Sequence, residues 1–357
     1  MIVFARKHAR LLAVALLVCV VAVPPRMARA DSHRGRYQAG RASFAVRFKN
    51  LSCDLKVMGV YLLPREALTL EVSASAADFR MARAGGASAT DLRLAAATGT
   101  PAGEFRLSAP CGTVLSHEAD TWRWEAPGET GLYPIVISRA PGYGRARPDS
   151  IVLNVFVMVP YKMMHDESLS GYRIGRYPDQ SSRRPPRRAS PRGFIEVTRE
   201  NEGTKLSPHF RLGQFLCKQS GAYPKYVVLS ERLLLKLELV LERANESGYL
   251  CDTFHVMSGY RTPHYNRALG NVPNSMHLWG YAADIFIDQY PRDGVMDDLN
   301  RDGVVNVRDA AVLYDMIDRM FAERVHEPLV GGLAKYKSTR SHGPFVHVDV
   351  RGRRARW

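Results

Sequence analysis

Ser275–Asp284, reading SMHLWGYAAD, places His277 ahead of Asp284 with Gly280 between them. Imidazole and carboxylate are ordinary zinc ligands, held at about 2.0–2.2 Å, so two donors on one tetrahedral ion lie roughly 3.3 Å apart. A straight helix would separate these positions by about 10 Å, and a continuous strand would turn them to opposite faces. The chain must therefore double back, and Gly280 tolerates the backbone angles that a reversal uses. ADIFID then reads as a strand presenting Asp284 near its start. A third donor is expected from GPFVHVDVRG, residues 343–352. Strand alternation there sends Val346, Val348 and Val350 to one face and Phe345, His347 and Asp349 to the other. His347 is the expected third ligand. Taken alone, the His277–Asp284 spacing favours a structural hydrogen bond over a metal site.

The order of the motifs carries more than any one of them. SGYRTPHYN, then SMHLWGYAAD, then FVHVDVRG, preceded by LSPHFRLGQFLCK at 206–218, resembles the LAS metallopeptidases, named for lysostaphin, D-Ala-D-Ala peptidases and sonic hedgehog. The likeness is nearest to zinc D-Ala-D-Ala carboxypeptidases and murein endopeptidases, and it covers residues 193–357. It implies zinc on His277, Asp284 and His347. It also implies that Arg261 grips a substrate carboxylate or orients the scissile carbonyl, as suits a guanidinium fork; a structural ion pair is the plainer alternative. Tyr260 and Ser275, within the same motifs, are expected at the substrate. The general base departs from the family pattern. Relatives carry Glu three residues, or His two residues, before the last ligand, where this chain has Pro344 and Phe345. His342 and Asp349 are the remaining catalytic candidates, and Asp349 equally suits a partner that orients a ligand.

Between Asp284 and His347 lies DLNRDGVVNVRD, residues 298–309. Asp298, Asn300, Asp302, the Val304 carbonyl, Asn306 and Asp309 fall at the oxygen-ligand positions of an EF-hand-type loop, with Gly303 at the sharp turn. The stretch resembles a dockerin repeat, and structural calcium within an insertion at 293–321 is expected. A polar surface turn leading into a helix near Asp309 is the alternative.

These side chains need scaffolding. LSERLLLKLELVLERANESG has helical apolar spacing, Ser230 as N-cap and Gly248 beyond its end, within an α+β domain from residue 193. Upstream, residues 37–160 read as short strands: ALTLEVSAS, DLRLAAA, TWRWE, LYPIVIS and SIVLNVFVMVP. An all-β sandwich of immunoglobulin-like plan is expected there. The fold class is thus two domains, an Ig-like β-sandwich followed by an α+β zinc peptidase domain. Residues 161–192, ending in SSRRPPRRASPR, are expected to form an exposed basic linker.

Composition narrows the function. With 46% hydrophobic and 24% charged residues, general disorder is excluded. The first 30 residues combine a basic start, the apolar run LLAVALLVCVVAV and the small-x-small stretch Ala28-Arg29-Ala30, which reads as a cleaved export signal. That run is too short to span a bilayer. Its five Lys and Arg residues take the formal +15 down to +10. Outside the cytoplasm such a charge suits anionic cell-envelope polymers rather than nucleic acid, and peptidoglycan is the expected partner, met in the periplasm or cell envelope. Four cysteines then remain, and an even number in an exported chain suggests disulfides. Of three possible connectivities, Cys53–Cys111 and Cys217–Cys251 keep each pair inside one domain.

Overall fold

The computed structural model describes residues 37–74, 105–140, 149–178, 189–322 and 324–357. The expected export signal and the DLRLAAA segment lie outside the described residues.

The N-terminal part contains β1 (Arg41–Phe48), β2 (Leu51–Leu55), β3 (Val57–Leu62), β4 (Ala67–Ser73), β5 (Phe105–Ser108), β6 (Thr113–Glu118), β7 (Thr121–Glu125), β8 (Gly131–Arg139) and β9 (Asp149–Val157). They form two sheets, ordered β2-β1-β4-β7-β6 and β3-β9-β8-β5. Alternation drives the packing: in β7, Trp122 and Trp124 are buried while Arg123 is exposed. All pairs are antiparallel except β3 with β9, which run parallel. Both sheets contribute to one apolar core that continues through Leu206, Phe210 and Leu233 into the C-terminal part. Polar ties cross the same junction, among them Lys49–Glu231 at 2.8 Å, Gly59 N–H to Leu206 O at 2.7 Å and the Arg41–Glu242 pair.

Residues 161–178, expected in the exposed linker, are instead built into the fold. After β10 (Val159–Pro160), the short pair β11 (Ser168–Leu169) and β12 (Tyr172–Arg173) leads into Ile174 and Tyr177. Leu169, Tyr172, Ile174 and Tyr177 join Phe194, Tyr226, Leu278 and Trp279 in a second apolar cluster. Regularly placed aromatic residues outweighed the local polarity. The Arg/Pro-rich residues 179–188 lie outside the described residues.

The C-terminal part opens with β13 (Gly193–Val197) and β14 (Lys225–Val227), followed by helix α1 (Glu231–Glu246). Its N-cap is Ser230, as expected, although that side chain makes no capping bond. Lys236 on α1 is buried and donates to the carbonyls of Leu329 (3.1 Å) and Asp349 (2.8 Å). Burial depresses its ammonium to about 7. Next come β15 (His255–Ser258), α2 (Pro263–Ala268), β16 (Ala282–Phe286), α3 (Val307–Met320), β17 (Gly332–Tyr336), β18 (Phe345–Asp349) and β19 (Ala355–Arg356). The sheet order is β15-β16-β18-β17-β19. The central strands β16 and β18 are buried along their whole length. Val346, Val348 and Val350 of the β18 segment pack into the core, as does Phe345, while His347 and Asp349 turn to the site.

No disulfide forms among the four described cysteines; each is free. This corrects both expected pairs, and the topology explains the first. Cys53 lies in β2 at one edge of its sheet, whereas Cys111 sits beside β7 near the other edge, where its carbonyl accepts from Trp124 Nε1. Three strand spacings amount to roughly 14 Å, well beyond the ~7 Å Cα limit of a disulfide. In the second pair the cysteines take separate partners. The Cys217 thiol faces Gln219, while the Cys251 backbone is clamped by Asn245 at the end of α1.

Candidate metal centre

Sheet register brings the carboxylate and one imidazole together. Asp284 in β16 is the direct cross-strand partner of His347 in β18 and of Ser258 in β15. Side chains so paired have Cβ atoms about 4.5–5.5 Å apart. His277 arrives by another route. It sits on the short 3-10 turn Met276–Trp279, which Gly280 ends in a left-handed conformation, φ +63°. The chain then turns directly into β16, which is the reversal the spacing required.

The three donor atoms converge. His277 Nε2 lies 3.3 Å from Asp284 Oδ1 and 3.3 Å from His347 Nδ1, and His347 Nδ1 lies 2.8 Å from Asp284 Oδ1. This is close to the separation that tetrahedral zinc donors need. Among the described residues, His277, Asp284 and His347 form the metal-competent group of His, Cys, Asp and Glu side chains, and all three are buried.

Neighbours determine which nitrogen each ring offers. His277 Nδ1–H donates to the Gly259 carbonyl at 2.6 Å, leaving Nε2 toward the centre. His347 has Nε2 facing Asp349 Oδ2 at 3.3 Å, leaving Nδ1 inward. Arg261 donates from Nη2 to Asp284 Oδ2 at 2.5 Å and from Nε to Ser258 Oγ at 2.8 Å. The second carboxylate oxygen is thus held while Oδ1 faces the imidazoles. Burial pushes the His277 imidazole down, partly offset by Asp284. Burial opposes charge on His347 as well, but the carboxylates of Asp284 and Asp349 outweigh it and raise its value. Burial likewise works against the Asp284 carboxylate, yet His277 and His347 hold it far below the ordinary range. The donor set therefore fits a divalent zinc: one ionised carboxylate and two ring nitrogens aimed at a common point.

The other expected site residues divide. Asp349 is fully buried and accepts from Arg351, from the Gly332 amide and across to His347. It holds its proton far below the ordinary range, because these partners overcome its burial. An acid so engaged orients His347 rather than taking a proton from substrate. Asp349→Asn is expected to weaken zinc binding by about 10- to 100-fold, as measured by competition with a chromophoric chelator; wild-type affinity would contradict this role. His342 is half-buried, its Nδ1 beside the Gly343 carbonyl and its ring edge against Phe345. The structure does not draw it into the converging group. Tyr260 is corrected: its ring is buried and its hydroxyl is paired with that of Tyr177 at 2.9 Å, so it supports the motif from beneath. Ser275 is likewise buried, and its carbonyl accepts from Leu278 at the start of the turn that carries His277.

The 298–309 loop takes positive φ at Arg301 (63°) and Gly303 (87°). Its carboxylates, however, are occupied by backbone amides. Asp298 accepts from Asp302 and Gly303, Asp302 from Val304, and the buried Asp309 from Leu299, Asn300 and Asn306. Asn300 and Asn306 bond within the loop, to Asp302 and to the Val304 carbonyl. Asn306 and Asp309 together cap α3, which starts at Val307 and carries Asp309 in its first turn. The geometry adds no support to the calcium expectation. An unexpected echo lies just upstream, where Asp288 accepts from Asp293 and Gly294 and Asp297 from Gln289 and Tyr290.

Sequence reasoning missed Ser258, Gly259, Arg351 and Trp357 at this centre. Arg351 was legible in principle, two positions beyond Asp349, just past the end of β18. A cavity of about 370 Å³, lined in part by Tyr172, Gln219, Tyr223 and His264, abuts Thr262, whose hydroxyl donates to Gln219 at 2.5 Å.

Fold and centre together present three buried donors in a His/Asp/His arrangement that could hold a metal ion. Residues 209–306, within the C-terminal part, match the family model described as Peptidase M15. The matched stretch includes Arg261, His277 and Asp284 and ends before His347, which the sheet supplies. No curated protein and no solved structure matches the chain.

Proposed function

We propose that this protein is an exported zinc peptidase that hydrolyses peptidoglycan stem or cross-link peptides, of the D-Ala-D-Ala carboxypeptidase or murein endopeptidase type. The observation that carries the reading is the convergence of His277 Nε2, Asp284 Oδ1 and His347 Nδ1 within 3.3 Å of one another. His277, Asp284 and His347 would hold the zinc, which when bound supplies Lewis acidity toward a peptide carbonyl. Arg261 fixes the Asp284 carboxylate, and Asp349 fixes the His347 ring. The formal net charge of +15 suits a substrate rich in carboxylates. The export reading rests on the first 30 residues. Among the described residues, no helix is long and apolar enough to cross a membrane.

One observation favours a second reading. The two positions where relatives place a base hold Pro344 and Phe345, and Asp349 is locked by Arg351. A wall-binding protein that keeps the metal fold without catalysis would have this composition. Purified sacculi incubated with the zinc-loaded protein separate the two: released peptides support the hydrolase, while sedimentation with sacculi and no product supports the binder.

The spacing of oxygen ligands at 298–309 also supports calcium as a structural brace. Chelation is then expected to lower the melting temperature by on the order of 5 °C, and Asp298→Ala with Asp302→Ala to abolish the response. A melt indifferent to calcium would remove the brace.

A further inference from the structure

Trp357 remains 52% exposed, yet its indole is held in place on several sides. Nε1–H donates to Tyr336 Oη at 2.7 Å, the Arg351 guanidinium lies 4.9 Å from the ring centroid, and the His347 ring is 5.4 Å away. Parallel pairing of β19 with β17, Gly332 to Ala355 and Leu333 to Arg356, delivers the side chain there. Gly332 leaves the room: a Cβ at that position would come within 2.9 Å of both the indole and Arg351, and would collide with Asp349. Arg351 is itself pinned by Asp349, so the support of the indole is rigid.

We propose that Trp357 is a substrate-contacting wall of the metal centre, packing against the alkyl group of the peptide residue beside the scissile bond. The inference rests on the peptidase reading and adds to it a determinant of specificity. The chemistry follows from what the indole has left to offer. Its one donor is already given to Tyr336 and a guanidinium lies over the ring, so its open surface can recognise apolar groups but not carboxylates or amides. A fixed, half-exposed aromatic ring beside a ligand imidazole supplies contact area at little cost in side-chain order. Small aliphatic side chains such as alanine methyls suit that surface.

The test uses the full zinc-loaded chain and two synthetic stem peptides, one ending in D-Ala-D-Ala and one with glycine in place of the terminal alanines. Trp357→Ala is expected to raise KM for the alanine peptide about tenfold or more, to erase the preference for alanine over glycine, and to leave zinc content unchanged. Trp357→Phe should recover most of the preference. Intrinsic fluorescence provides a readout independent of turnover: the alanine peptide should change emission in the wild type, and the change should vanish in Trp357→Phe. Wild-type hydrolysis with an unaltered alanine preference in Trp357→Ala would overturn the wall while leaving the peptidase reading intact. Loss of zinc from both variants would reduce Trp357 to a structural prop. Should the wild type prove inactive, a fluorescence response confined to Trp357 still supports the contact, and its absence refutes it.

Discussion

Replacing His347 with alanine is expected to lower kcat/KM on stem peptides by at least about a thousandfold and to strip zinc from the protein at ordinary chelator concentrations. The magnitude follows from what a Lewis acid contributes, several kcal/mol of charge stabilisation, at about 1.4 kcal/mol per factor of ten. His347 is one of three converging donors, and its removal also breaks the path from Asp349 through the ring to the centre. Asp284 would then keep Arg261 and His277 as its charged and polar neighbours, so the fold should persist. The measurements are zinc stoichiometry, far-ultraviolet circular dichroism and peptide release, made together. Full activity in a folded, zinc-free His347→Ala protein would end the metallopeptidase proposal. The same substitution in a non-catalytic wall binder would remove zinc without changing a hydrolysis rate that was never there.

Gly280→Ala carries the largest expected effect on stability, on the order of 3–5 kcal/mol. Two terms add. Gly280 sits at φ +63°, where a side chain costs about 1–2 kcal/mol. A Cβ there would also run into the backbone of Val228 and Leu229, the entry to α1, and backbone yields far less readily than a side chain. Because Ser230 N–H donates to the Gly280 carbonyl, relief of the collision would shift the whole turn that carries His277. Thermal melts should fall by about 10 °C or more, with zinc affinity declining in parallel. A melt within a degree of wild type would show that the turn is softer than its packing implies.

Short-range pattern made much of this protein legible. Alternation in FVHVDV separated His347 and Asp349 from the valines of the core, although Phe345 joins that core too, helical spacing between Ser230 and Gly248 located α1 within a residue or so, and the glycine between His277 and Asp284 implied the reversal that the structure contains. These features are local, and the backbone answers to them wherever the chain lies in space. Long-range polarity misled in two places. The aromatic residues of 161–178 belong to a core completed by Phe194 and Tyr226 and, about a hundred positions downstream, by Leu278 and Trp279, and strand order rather than domain decides which cysteines can pair.

By itself the sequence determined the inventory: two imidazoles, a carboxylate, a flanking arginine and the elements able to carry them. Tertiary structure alone decided how they act, because cross-strand register, not spacing along the chain, sets Asp284 against His347. It also turned Tyr260 inward to Tyr177, left His342 outside the converging group, engaged Asp349 with Arg351 and His347, and brought Trp357 back along β17 to the edge of the centre. Hydrogen-bond partners supplied from distant strands choose which ring nitrogen faces inward, and no local pattern encodes a partner that folding has yet to bring near.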